Sequence, residues 1–145
     1  MAKVTRIAYG KNVTRSKMAR LTELASRLGV IRTDVWRLFG SVSGLHHRGD
    51  RHIRDKWLTE DRQLNVPARL WKATLSDVWA DIIMYREACK VKVREAIRRH
   101  TKDEDKQKRL YIMLKADCWD KDPYLRRVMR KHYKHGRTVV DNQIV

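Results

Sequence analysis

The chain has 145 residues, 42% of them hydrophobic, and carries 34 Lys and Arg against 17 Asp and Glu, a formal charge of +17 with an isoelectric point near 10.4. That length supports one modest core, one domain or a domain and a half, and the charge would repel itself without a polyanion partner. Five Trp, five Tyr and a well-formed helical period exclude a disordered basic tail or a purely electrostatic membrane binder, which leaves nucleic acid as the expected partner.

Residues Val4 to Tyr9 alternate in polarity and are closed by Gly10, the pattern of a short strand with one apolar face. From Thr14 the period turns helical, with Met18, Leu21, Leu24, Leu28, Ile31, Val35, Leu38 and Val42 at three-and-four spacing, and Gly29 is expected to weaken or kink that helix. A turn at Leu45 to Gly49 leads to a short helix capped by Asp50, in which Ile53 and Trp57 lie one turn apart. Residues Arg62 to Val66 link it to a long helix from Pro67 to His100, whose seam is Trp71, Leu75, Val78, Ile82, Tyr85, Cys89, Val93 and Ala96. A fourth helix runs from Lys102 to Ala116 with Asp103, Glu104 and Asp105 in its first turn, where the helix dipole favours acid. Pro123 opens a last helix with Leu125, Val128, Met129 and Tyr133 inward. The β-branched run Thr138 to Val145 reads as a second strand. The expected fold is therefore mainly α: a helical bundle with one long helix, residues 11–137, inserted between short strands in 1–10 and 138–145.

Two basic ridges stand out. Arg86, Lys90, Arg94 and Arg98 are four residues apart on the long helix, with Arg99 beside them. Such a ladder is either a rail for phosphates or a solvated face partly relieved by Glu87 and Glu95. The last helix carries Arg126, Arg127, Arg130, Lys131 and Lys134, followed by Arg137, and Tyr124 and Tyr133 among these cations are candidates for base stacking. The five tryptophans Trp36, Trp57, Trp71, Trp79 and Trp119 fall mostly on apolar faces and read as core.

Catalytic and metal chemistry find little support. Asp117, Asp120 and Asp122 do not have calcium-loop spacing and read as helix caps. His46, His47 and His52, like His132 and His135 with Cys118, do not supply four ligands, and two cysteines are too few for a disulfide framework or a four-cysteine zinc site. No nucleophile turn, P-loop or dinucleotide fingerprint occurs. With no run of about 18 apolar residues and no apolar signal core in Met-Ala-Lys-Val-Thr-Arg, a cytoplasmic protein with no cofactor and no membrane contact is expected.

The order of elements, the long helix opened by Val-Pro-Ala-Arg-Leu-Trp-Lys-Ala-Thr-Leu-Ser-Asp, the final Asn-Gln-Ile-Val, and the stretches Lys92 to His100 and Asp122 to Arg127 resemble the N-terminal part of the TnpB-type proteins, transposon-encoded RNA-guided DNA endonucleases related to type V CRISPR effectors. The resemblance implies a wedge β-barrel strand, an inserted helical recognition domain and a return to the barrel. It also implies recognition helices that hold a structured guide RNA and its heteroduplex with DNA by the backbone, sequence being read by base pairing. Members of that family continue into a RuvC nuclease domain with a zinc element, and this chain reaches Val145 before either, so it is expected not to cut DNA itself and to be a fragment, a truncated gene product, or a form whose β element is completed by a partner chain. Two further readings stand beside this one: a small basic DNA-binding regulator using the turn before Asp50, and a protein-interaction domain whose long helix docks a partner. RNA and DNA are not distinguished by these residues.

Overall fold

A computed structural model describes residues 7–42 and 49–133. Five α-helices follow one another among these residues: α1, Arg15–Phe39; α2, Asp50–Thr59; α3, Ala68–His100; α4, Glu104–Lys115; and α5, Pro123–His132, with a single 3-10 turn at Trp119–Lys121 before the last. None of them is long and apolar enough to cross a membrane.

Local chemistry accounts for the helix ends. The hydroxyl of Thr14 accepts from the Lys17 amide at 3.3 Å and starts α1, and Gly40 caps its other end. Pro67 stands just outside α3 as its N-cap, where its carbonyl takes the Leu70 and Trp71 amides. Thr101 is extended, with φ −144°, and the Asp103 carboxylate immediately restarts the chain by accepting from the amides of Asp105 and Lys106. Asp122 does the same for α5 through Leu125. The exit of α4 is a left-handed turn: Asp117 has φ 56°, and the Cys118 and Asp117 amides fold back onto the carbonyls of Met113 and Leu114.

Helix α3, 33 residues long and therefore about 50 Å, is the spine of two successive cores. Its first half packs Trp71, Leu75, Val78 and Ile82 against Leu28, Ile31, Val35 and Phe39 of α1 and Ile53 and Trp57 of α2. Its second half packs Cys89, Val93 and Ile97 against Leu110 and Leu114 of α4, Trp119, and Leu125, Val128 and Met129 of α5.

Several expectations need correction. The fold is mainly helical as expected, but no β-strand occurs among the described residues, so within them the helices are not framed by strands. Of the first expected strand, Ile7 to Tyr9 is described; it has no ladder, and Ile7 and Tyr9 are exposed. Alternation makes one face apolar, but a strand exists only where a neighbour takes up its backbone hydrogen bonds. The second, Thr138 to Val145, lies outside the described residues, as does most of the turn at Leu45 to Gly49. Helix α1 runs unbroken through Gly29, which is buried, and stops at Phe39 rather than Val42. Finally, the buried seam of α3 passes through Arg86 and Ile97; Tyr85 is exposed and Ala96 only flanks the core.

Candidate nucleic-acid interface

The ridge on α3 divides in two. Arg86 is 3% exposed and Lys90 4%, so neither is available to a phosphate. Arg86 Nη2 donates to the carbonyls of Phe39 at 2.6 Å and Ser41 at 3.2 Å, and its guanidinium lies 5.7 Å from the Trp79 ring. Between them the Gly40 carbonyl accepts from the Tyr133 hydroxyl at 2.5 Å. The unsatisfied, negative end of α1 is thus closed by a cation from α3 and a phenol following α5. Burial lowers the pKa of Arg86, with Tyr133 and Asp117 opposing, while burial pushes Tyr133 up against the pull of Arg86 and keeps it a donor. Tyr133 is accordingly a clasp and not a stacking surface.

Lys90 is held between Asp117 at 2.6 Å and Glu87 at 3.0 Å. Burial alone would lower its pKa, but the hydrogen bonds the ammonium donates to these carboxylates outweigh it and hold the ammonium above its ordinary value. The left-handed turn at Asp117 ends α4 and delivers one of the two carboxylates, so a helix cap doubles as the partner of a buried charge.

The outer positions behave differently. Arg94, Arg98 and Arg99 are exposed and take part in no ion pair among the described residues; Glu95 is the sole carboxylate in the last ten residues of α3. On α5, Leu125, Val128 and Met129 turn inward while Arg126, Arg127, Arg130 and Lys131 are all exposed. The helix has no acidic residue, and none of the four makes an ion pair among the described residues. Lys134 and Arg137 lie outside the described residues.

Tyr124 joins the two surfaces. Its half-buried ring lies against the second core, stacks on the His100 imidazole with centroids 3.8 Å apart and planes at 14°, and carries the Arg127 guanidinium at 5.8 Å. The last turn of α3, with Arg98 and Arg99, therefore stands beside the first turn of α5, with Arg126 and Arg127. Below it Lys92 and His132 share a hollow of about 110 Å³ with Tyr85 and Cys89.

His100 is the residue that the sequence pattern did not single out; its only signal was an aromatic ring at the end of a basic stretch. The tryptophans are spent on packing: Trp57, Trp71 and Trp119 are buried, and Trp36 and Trp79 border the first core. A larger hollow of about 630 Å³ beside Arg27 and Arg62 has its arginines engaged, Arg27 with Glu23 and the Asn65 carbonyl, and Arg62 with Asp34 and the Trp57 face. Among the described residues no three His, Cys, Asp or Glu side chains come together as a metal site. Comparison with protein-family models, curated proteins and solved structures finds nothing that matches this chain.

Proposed function

We propose that this protein binds the phosphate backbone of nucleic acid through the outer face of α5 together with Arg94, Arg98 and Arg99 at the end of α3. One observation carries this reading: four exposed cations on a ten-residue helix with no acidic residue and no ion pair among the described residues, in a chain of charge +17. A surface of that kind is unfavourable in isolation and is relieved when a polyanion displaces its condensed counterions. The ligand that the resemblance to TnpB-type proteins implies is a structured guide RNA, alone or paired with DNA, held by its backbone. The face of α5 requires no base-specific contact, which suits that role.

Salt dependence tests the reading. Each phosphate neutralised contributes about −0.9 to the log–log slope of affinity against salt on duplex DNA and about −0.7 on a single strand. Replacing Arg126, Arg127, Arg130 and Lys131 together by Gln is expected to flatten the slope by about 3.6 on duplex DNA and about 2.8 on a single strand and to leave the fold intact, since all four are exposed. Arg94→Ala with Arg98→Ala is expected to flatten it by about 1.5. Unchanged slopes in both variants would remove this face from the function.

A further inference from the structure

We propose that the outward face of the His100 imidazole is a stacking platform for an unpaired base, so that the nucleic acid held here presents a single-stranded or looped segment and not a continuous duplex. This rests on the backbone-binding reading of α5 and specifies its ligand.

The Tyr124 ring, which the sequence pattern offers for stacking, is already used. His100 covers it at 3.8 Å and nearly parallel, Arg127 lies against the same ring, and the residue packs on the second core. What the stack leaves available is His100 itself. It is exposed, and among the described residues Tyr124 is its sole ring contact and its side chain makes no hydrogen bond. The imidazole is thus stacked on one side by Tyr124 in an exposed residue, and a side chain ordered before binding gives up little freedom when a base settles on it.

The position is also right for a strand end or a loop. His100 is the last residue of α3, and the chain leaves the helix at the extended Thr101, so the ring lies at a helix end. Exposed Arg98 and Arg99 precede it on α3, and exposed Arg126 and Arg127 follow its stacking partner Tyr124 on α5, cations that can take phosphates flanking a stacked base. The carboxylates within three residues of His100 or Tyr124 in the chain are occupied: Asp103 caps α4 and Asp122 caps α5 and faces Arg109 at 3.9 Å. Bases inside a duplex have both faces covered by their neighbours, so only an unpaired or terminal base can use such a ring.

The experiment uses the full chain and two probes, a single-stranded oligoribonucleotide carrying a fluorescent purine analogue and the same sequence fully paired. His100→Ala is expected to weaken the single strand about tenfold and to abolish quenching of the analogue, while duplex affinity and salt slope stay as they were. His100→Phe, which keeps a ring on Tyr124, is expected to restore both affinity and quenching. Equal losses on the two probes, no loss on either, or a protein that binds only the duplex would overturn the platform. The α5 variant with four Gln separates the two levels. If it weakens binding while His100→Ala does not, the platform falls and the backbone-binding reading stands; if it too has no effect, both fall.

Discussion

Arg86 and Lys90 lie one turn apart on α3, carry the same charge and are equally buried, and the structure assigns them different consequences. Arg86 supplies both hydrogen bonds that satisfy the Phe39 and Ser41 carbonyls at the end of α1. In Arg86→Met those bonds to a charged donor are lost at a buried site, and the expected destabilisation is about 3 kcal/mol. The partners of Lys90, Glu87 and Asp117, are 57% and 46% exposed. In Lys90→Met they return to water, so the expected loss is about 1 kcal/mol or less. Urea unfolding of the two variants checks this, and equal midpoints would show that the carbonyl clasp contributes nothing special. None of this was legible in the sequence, where Arg86, Lys90, Arg94 and Arg98 form one uniform ladder. Spacing along a helix says which residues share a face; whether that face meets solvent or another helix is decided by elements distant in the chain.

At the scale of elements, the helices themselves were readable. Periodicity and end signals located all five, and the long one was expected to start at Pro67 and starts at Ala68, because a proline, a β-branched exit residue and acidic caps act within a few residues of where they stand. The seam of α3 was read less well. Tyr85 and Ala96 are more apolar than Arg86, but it is Arg86 and Ile97 that face inward, the first because α1 ends opposite it with carbonyls that need a donor. The arrangement of two cores along one spine predicts separable behaviour. Leu114, fully buried in the second core, is expected to destabilise by about 2–5 kcal/mol when truncated to Ala. Hydrogen exchange in that variant should accelerate across α4 and α5 while α1 and α2 keep most of their protection. Uniform acceleration would mean that the Arg86 and Tyr133 clasp welds the cores into one cooperative unit.

For the molecule as a whole, the shifted groups at the junction of the two cores set an alkaline limit. Burial raises Cys89 against the pull of Lys92 and Tyr133 against that of Arg86, and the carboxylates raise Lys90 despite burial. All three hold their protons more tightly folded than unfolded. Their contribution to stability is therefore complete below their ordinary pKa values and is lost as pH rises from those values through the raised ones of the folded state, so the melting temperature should fall steadily above about pH 9. Tyr133→Phe is expected to make the fall shallower, and a melting temperature that is flat or rising over that range would contradict the assignment of these shifts. The sequence by itself determined the helices, the Asp122 cap of α5, though not that of α2, which is Gly49 and not Asp50, the basic surplus and hence the class of partner expected, because propensity, capping and charge are local or additive. The tertiary structure alone decided that half of one basic ridge is internal, that the expected N-terminal strand forms no ladder among the described residues, and that the Tyr124 ring is stacked on an exposed His100. Each of these depends on which distant surface covers a side chain or pairs with a backbone, and contact between residues far apart in the chain leaves no periodic trace in the sequence.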